Sequence, residues 1–365
     1  MRVVREQLGE PAELLERRPG PRSRASAARE LPRAASGLLL GGLAPEEVAR
    51  AVRSTGARVV HAHNLHPTLG WRALAAARKA GARVVLHLHQ YRLVCAIGVC
   101  FTRGAECTRC HARDTLPGVR LNCRGSLPEA VVYGAALALW QRRLVEQADA
   151  ILVPSDFARE RLRELGAPLP WERVRVLAPP VRIPAEGAGP ADHDGPPYAL
   201  LVARLAPEKG VDVAIDACSL AGISLVVAGE GPEHDELRRR SRRADVRFVG
   251  RVGDAELARL RAGASIALAP SRSAETFALA AAEAMAAGLP VAASRVGALP
   301  ELLDPESLVA AGDPVALAQA ITRLAGDRAA GERGRERVRG LCAPEVVAAG
   351  LAETYDGRET PAART

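Results

Sequence analysis

Two glutamates eight residues apart, Glu275 and Glu283, are the side chains whose spacing first suggests chemistry. The apolar run 264–269 precedes them and predicts a buried parallel strand, and the alanine-rich segment that ends near Gly288 and Pro290 predicts a helix. Eight positions of a helix make about two turns at roughly 3.6 residues per turn, so both carboxylates could face one cleft. We therefore predict a binding site in this strand, turn and helix, with Glu283 suited to a pair of polyol hydroxyls.

The start of the predicted helix offers backbone amides to an anion. The first N–H groups of a helix have no intrahelical acceptor and carry a partial positive charge, which favours a phosphate group. The amides concerned are those of Thr276, Phe277, Ala278 and Leu279. The alternative is an amphipathic helix whose glutamates are only solvated.

A second set of candidate residues includes an unusual lysine. Of 50 basic residues only Lys79 and Lys209 are lysines, so a lysine here is expected to be kept for its compact ammonium charge. Arg204 and Lys209 follow the predicted strand 198–203, where they could neutralise a diphosphate, although a surface turn with an ion pair would look the same.

The next predicted strand, 224–228, is followed by Gly229 and Gly231, a tight turn that lets backbone approach a ligand.

Histidines gather at the ends of two other predicted strands. Five of the eight lie there, namely His61, His63, His66, His87 and His89. Parallel sheets bind ligands at the carboxyl ends of their strands, so we expect a role in a cleft. A structural role is one alternative. A metal-hydrolase site at His61 and His63 is a second, although the sequence nearby lacks the acidic residues that such a site would be expected to use.

Five of the seven cysteines fall in one glycine-rich insertion. Cys95, Cys107, Cys110 and Cys123 could together hold a structural zinc ion, and Cys100 lies between them. Reduced buried thiols and disulfides are the other two interpretations, with disulfides disfavoured in a reducing compartment.

The chain of 365 residues, 48% hydrophobic and 25% charged, is long enough for two domains with sizeable cores. No apolar run approaches the roughly 20 residues that span a bilayer, and the start has no signal-peptide core, so we expect a cytoplasmic protein.

The formal charge of +8 suits an anionic substrate or peripheral contact with the inner membrane face. Aromatic residues at 3% offer few stacking platforms, which argues against nucleic acid. The arginine run 238–243 is read either as a solvated helix face or as a membrane contact.

Strands that alternate with helices predict the α/β class with parallel, doubly wound sheets. We expect an N-terminal domain at 1–183, in which 1–35 is irregular and a first strand is missing, and a linker at 184–197 rich in proline and glycine. A second domain is expected at 198–357, with a frayed tail at 358–365.

The segment from Pro270 to Pro290, followed by Val296–Glu301, closely resembles the donor-site signature of family 4 retaining glycosyltransferases. The resemblance extends over about residues 57–355. It implies two Rossmann-like domains facing each other across a cleft, the GT-B fold. It also implies a nucleotide-diphosphate-sugar donor, a sugar or lipid-linked acceptor in cell-envelope polysaccharide, glycolipid or natural-product synthesis, and catalysis that requires no cofactor.

The same resemblance assigns roles to individual residues. Glu275 would contact the donor sugar, Glu283 the ribose hydroxyls, and Arg204 with Lys209 the diphosphate. His89 would lie beside the reacting sugar on the acceptor side. Two other functions stay open: a sugar-nucleotide epimerase of the same architecture, and a non-catalytic nucleotide-sugar-binding partner.

Overall fold

A computed structural model describes residues 2–17, 24–184 and 196–357, and its contacts divide the chain into two units. The first unit contains the chain up to Cys100, Cys107–Leu177 and the chain from Ala348 onward. The second contains Phe101–Glu106 and Ala178–Val347. Most of the predicted linker and the whole predicted tail lie outside the described residues.

The boundaries differ from the predicted ones at three places, namely Phe101–Glu106, residues 178–183 and the end of the chain, and hydrogen bonds account for the last two. Residues 178–184 belong to the second unit because Val181 N–H donates to the Cys342 carbonyl (2.8 Å) and Arg335 donates to the Pro184 carbonyl (2.8 Å). The end of the chain belongs to the first unit, where Arg83 Nε donates to the Thr354 carbonyl (3.0 Å).

The secondary structure within the described residues is as follows. The strands are β1 (Val59–His63), β2 (Arg83–His87), β3 (Phe101–Thr102), β4 (Ala105–Glu106), β5 (Ala150–Val153), β6 (Val174–Val176), β7 (Tyr198–Val202), β8 (Ser224–Ala228), β9 (Val246–Gly250), β10 (Ile266–Ala269), β11 (Val291–Ser294) and β12 (Leu308–Val309). The helices are α1 (Arg2–Gln7), α2 (Arg24–Leu40), α3 (Pro45–Thr55), α4 (Gly70–Lys79), α5 (Leu116–Arg120), α6 (Leu127–Glu146), α7 (Asp156–Glu164), α8 (Val211–Ala221), α9 (His234–Arg240), α10 (Asp254–Gly263), α11 (Leu279–Ala286), α12 (Leu299–Leu302), α13 (Pro314–Leu324), α14 (Arg328–Cys342) and α15 (Pro344–Asp356).

The first unit is built on a parallel sheet in the order β1-β2-β5-β6. Its inner strands are almost entirely buried, as their continuous apolar sequences predict. The register pairs His63 with His87, so the last residues of β1 and β2 are neighbours. This pairing brings the two predicted histidine groups to one edge of the sheet.

The prediction that residues 1–35 are irregular is wrong where α1 and the first part of α2 lie, whereas residues 8–17 contain no helix or strand. The end of α2 is anchored on α6. Leu38 is buried against Leu137 and Tyr133, and Trp140 Nε1 donates to the Leu38 carbonyl (3.0 Å). A long-range apolar contact therefore stabilises a segment whose local sequence gives little indication of a helix.

The second unit is built on a parallel sheet in the order β12-β11-β10-β7-β8-β9. Both faces are covered, since Leu200 lies in one buried apolar cluster and Leu201 in the other. The predicted α/β class with doubly wound parallel sheets is confirmed. The strand order reverses between β7 and β10, and ligands of such sheets bind at the carboxyl ends of the strands beside that reversal.

Across the described part of the chain, none of the helices combines the length and apolar character that a membrane crossing needs.

Candidate functional site

The loops after β7 and β10 meet at the strand-order reversal, and their side chains converge on Glu275. Lys209 Nζ donates to Glu275 Oε1 at 2.6 Å, and Ser271 Oγ donates to the same oxygen at 2.6 Å. Both partners of the ion pair are largely shielded, with side chains 27% and 16% exposed. Residues predicted from separate motifs, Lys209 and Glu275, therefore form one polar cluster.

Arg204 lies on the loop after β7 and is the more accessible cation of this edge. Its guanidinium pairs with the carboxylate of Glu208, which is buried, while the Arg204 side chain stays 59% exposed. The loop is fixed from the other side, because Arg272 N–H donates to the Glu208 carbonyl (2.8 Å). Arg204 thus combines a held position with a charge that solvent can reach.

Gly229 and Gly231 allow the loop after β8 to touch the loop after β7. A Cβ on Gly229 would overlap the carbonyl oxygen of Ala203, and one on Gly231 would overlap that of Leu205. Leu205 N–H donates to the Glu230 carbonyl (3.0 Å) in the same contact. The glycines therefore support the loop that carries Arg204, and close approach of their backbone to a ligand stays a prediction.

The predicted helix start at residues 276–279 needs a correction, because α11 begins only at Leu279. Ala278 precedes it in a left-handed conformation (φ 68°), which interrupts the helical path. Thr276 and Phe277 lie in the loop, and the Phe277 side chain is buried in the core. The backbone N–H groups of Ala281 and Ala282 both donate to the Ala278 carbonyl. The amides at the helix start that have no intrahelical acceptor are therefore those of Leu279 and Ala280.

The eight-residue spacing of the two glutamates is therefore part loop and part helix, and each glutamate has its own cation. Glu283 lies on α11 and pairs with Arg261 of α10, whose side chain is only 15% exposed. Arg261 was not among the residues predicted for the site.

Arg272 is a second site residue that was not predicted. Its guanidinium binds Asp212 through two hydrogen bonds of 2.8 and 2.7 Å. This pair joins the loop after β10 to the first turn of α8.

In the first unit, four of the five predicted histidines form one stacked cluster at the carboxyl ends of β1 and β2. His61 Nε2 lies 3.2 Å from His87 Nδ1, and His63 Nδ1 lies 2.7 Å from His89 Nε2. The ring centroids of His87 and His89 are 4.1 Å apart. His61 Nδ1 also lies 2.8 Å from the hydroxyl of Tyr355 on α15, a partner that the sequence analysis did not identify.

Burial, and the proximity of the other rings, keep these imidazoles neutral. Burial, with a smaller contribution from the neighbouring histidines, lowers the pKa of His61 to about 3 and that of His63 to about 4. Burial likewise lowers the pKa of His87 to about 2 and shifts the pKa of His89 downward. The cluster therefore offers neutral ring nitrogens near pH 7.

A pocket beside His89 places other polar groups next to three of the predicted histidines. Its lining includes Asn64, His66, His87, His89, Gln90 and Arg92. Amide, imidazole and guanidinium groups at one pocket wall suit a hydroxyl-rich ligand.

The cysteine insertion holds free thiols with different acidities. A hydrogen bond from Cys100 lowers the pKa of Cys95 to about 6, whereas burial raises the pKa of Cys110 to about 11. Among the described residues, the group of three or more ligand atoms within 4.8 Å of one another is formed by histidines and not by these cysteines. Zinc at Cys95, Cys107, Cys110 and Cys123 stays a prediction.

Comparison with known families accounts for most of the chain. Residues 3–180 match the family described as "Glycosyl transferase 4-like domain", and residues 196–327 match "Glycosyl transferases group 1".

Two relatives come from Mycobacterium tuberculosis. One is a GDP-mannose-dependent alpha-(1-6)-phosphatidylinositol dimannoside mannosyltransferase, 32% identical over 199 residues, 50% of this chain and 50% of the relative. The other is a glycogen synthase, 33% identical over 230 residues, 58% of this chain and 55% of the relative. The matches span about half the length of these curated relatives.

Solved structures resemble the fold. Sucrose-phosphate synthase from Thermosynechococcus elongatus superposes with a TM-score of 0.61 at 24% identity, covering 86% of this chain and 76% of that one. HepE from Anabaena in complex with UDP gives a TM-score of 0.58 at 18% identity, covering 85% and 82%. The predicted GT-B class with two Rossmann-like domains is confirmed, and the chain belongs to the group 1 glycosyltransferases.

Proposed function

We propose that the protein transfers a sugar from a nucleotide-diphosphate-sugar donor to an acceptor hydroxyl, with retention of configuration at the anomeric carbon. The family supports transfer, and the mannosyltransferase relative is named for GDP-mannose. A structural neighbour was solved with UDP. The donor is therefore a nucleoside diphosphate sugar, whose base and sugar are to be found by experiment.

The observation that carries the proposal is the convergence of Lys209 and Ser271 on Glu275 at the strand-order reversal, with Arg204 on the adjoining loop. Cleavage of the donor bond builds negative charge on the departing diphosphate. The diphosphate of the bound donor is already anionic and gains further negative charge as the bond breaks, and fixed cations stabilise this additional charge in the transition state. Lys209 and Arg204 supply this charge without a metal cofactor.

The remaining assignments follow the chemistry of each group. When the donor binds, the carboxylate of Glu283 would release the Arg261 guanidinium and accept hydrogen bonds from the ribose hydroxyls. Glu275 would hold the donor sugar through Oε2, since Oε1 already accepts from Lys209 and Ser271. The amides of Leu279 and Ala280 would donate to a phosphate oxygen. His89, in the first unit, would contact the acceptor, and the leaving phosphate would take the acceptor proton on the same face of the sugar.

The acceptor and the location belong to the same proposal. The lipid-linked acceptor named for the mannosyltransferase relative, together with a formal charge of +8, supports an acceptor in the cell envelope. We place the reaction in the cytoplasm, with peripheral contact between basic residues and an anionic membrane face. Co-sedimentation with vesicles of anionic and of neutral lipid tests this membrane contact. The proposal expects the protein to sediment with the anionic vesicles more than with the neutral ones.

The decisive experiment combines calorimetric titration with a panel of nucleotide sugars and product analysis with a labelled donor. GDP-mannose, UDP-glucose and UDP-N-acetylglucosamine form the first panel, and NMR of the product reports the anomeric configuration. The proposal expects binding and transfer of label with retention. Binding without turnover would select a non-catalytic nucleotide-sugar partner, and an isomerised donor would select an epimerase.

A further inference from the structure

We propose that His61, His63 and His87 form a binding site for one divalent transition-metal ion of the zinc class. One ring nitrogen of each lies within 4.8 Å of the other two. Imidazole is a preferred ligand of such ions, and three histidines with one open position form a recurring zinc site. The site adjoins His89, which the proposed function places beside the acceptor, but the proposed sugar transfer itself requires no metal.

The distance between two of the candidate ligand atoms already suits an ion. His61 Nε2 and His87 Nδ1 are 3.2 Å apart. Two nitrogens bound to one tetrahedral ion at about 2.0–2.1 Å lie about 3.3 Å from each other. The separation of these two nitrogens therefore matches the ligand spacing of a tetrahedral site.

The groups behind the ligands resemble the outer shell of a metal site. Metal-bound histidines usually hold their second ring nitrogen in a hydrogen bond, which fixes the tautomer. His61 Nδ1 has the Tyr355 hydroxyl at 2.8 Å, and His63 Nδ1 has His89 Nε2 at 2.7 Å. With a proton on Nδ1, each of the two histidines has a lone pair on Nε2 for the ion.

The cluster is incompletely satisfied without a ligand. His87 is 7% exposed, and its Nε2 makes no hydrogen bond in the structure. Its Nδ1 makes only the 3.2 Å contact with His61, at the long end of the hydrogen-bond range. The atom that faces His61 is Nδ1, so the metal proposal rests on this weakly bonded Nδ1, and Nε2 would carry the ring proton when Nδ1 binds the ion. His63 is exposed, so solvent can supply the fourth metal ligand.

Titration of the purified full chain with Co²⁺ tests the site. Tetrahedral Co²⁺ absorbs in the visible region, and thiolate ligands add a charge-transfer band in the near ultraviolet that imidazoles do not. We expect one Co²⁺ per chain with visible bands and no thiolate band, displaced by Zn²⁺. The visible bands are expected to persist in a Cys107→Ser/Cys110→Ser background.

Variants identify the ligands. His63→Ala and His87→Ala should each weaken Co²⁺ binding by more than about 100-fold, and Tyr355→Phe by about 10-fold, since loss of an outer-shell group costs about 10- to 100-fold. His234→Ala, in the second unit, is the matched control. His63 is exposed, so its variant should fold. Parental affinity in His63→Ala, or a spectrum that only the cysteine substitutions abolish, would overturn the proposal.

Discussion

Lys209 and Glu275 lie 66 positions apart in the sequence, yet Lys209 Nζ donates a 2.6 Å hydrogen bond to Glu275 Oε1. The contact arises because β7 and β10 are adjacent in the sheet although two other strands separate them in sequence. In the proposed reaction, a donor that enters this edge would meet a cation already held in position. Preorganisation of this kind is the main source of electrostatic catalysis.

The first prediction concerns the ammonium group of Lys209. Lys209→Met keeps the length of the side chain and removes its charge, so the departing diphosphate loses one fixed cation. We expect kcat to fall by about 100- to 1000-fold, as for removal of one oxyanion-stabilising group. Steady-state kinetics with the donor found by the panel measures the change.

The chain contains its own control for that substitution. Lys79 is the other lysine and is exposed at the end of α4. Lys79→Met removes the same charge elsewhere and should leave kcat unchanged. Equal rates for the two variants would remove Lys209 from the reaction.

The second prediction separates Glu283 from its partner Arg261. Glu283→Gln should weaken nucleotide binding by about 10- to 100-fold, since hydrogen bonds to a charged group contribute about 1.5–3 kcal/mol. Arg261→Met should keep or increase nucleotide affinity, because it removes the group that the ribose must displace. Calorimetric titration of both variants measures the difference.

The matched control lies on the same helix as Arg261. Glu256 pairs with Arg259 at the surface of α10, and Glu256→Gln should change nothing measurable. If Arg261→Met loses affinity as strongly as Glu283→Gln, then Arg261 itself binds the nucleotide and the assignment is wrong.

Several parts of the fold and site could be read from sequence because their signals are local. The bounds of β8 agree with the predicted strand 224–228, since it is an apolar run bounded by a clear break at Gly229. Lys209 could be singled out because lysine is rare in this chain. The family resemblance assigned separate roles to Lys209 and Glu275, and their direct contact was not predicted.

The residues missed have signals that are not local. Arg261 and Arg272 belong to a chain in which 48 of 50 basic residues are arginine (50 less two lysines), so residue type does not set them apart. Tyr355 reaches His61 across 294 positions, which depends on the last helix joining the first unit. Ala278 adopts a left-handed conformation, which usually requires glycine. Because the residue is alanine, its type gave no indication that α11 begins only at Leu279.

The third prediction concerns stability against pH. A hydrogen bond from Arg337 holds the pKa of Asp304 below its usual 3.8, with Arg333 as a second partner. Because the folded-state pKa is depressed, the pair stabilises the fold above pH 3.8 and loses this contribution as pH falls through the folded-state value. Asp304→Asn should lower the free energy of unfolding by about 1 kcal/mol at pH 7, since the groups are partly exposed.

Urea unfolding at pH 7 and at steps toward pH 3 measures the Asp304 effect. The gap between parent and Asp304→Asn should narrow as pH falls. Glu336→Gln, at an exposed position of α14, is the control and should show no gap. A gap that stays constant with pH would mean that the substitution acts through packing and not through charge.

The last prediction tests whether the backbone of Glu275 must stay where Gly297 holds it. Gly297 has φ 59°, and a Cβ there would overlap the backbone nitrogen and oxygen of Glu275. Gly297→Ala should therefore destabilise the fold by about 1–3 kcal/mol through strain and displace the carboxylate from Lys209, lowering kcat as well.

Gly340→Ala is the control for this substitution, since Gly340 lies in α14 with open space around it. This variant should be more stable than the parent by about 0.5–1 kcal/mol. Urea unfolding and kcat at a temperature where both variants are folded distinguish the effects. Full activity in Gly297→Ala would show that the loop after β11 can move without disturbing the site.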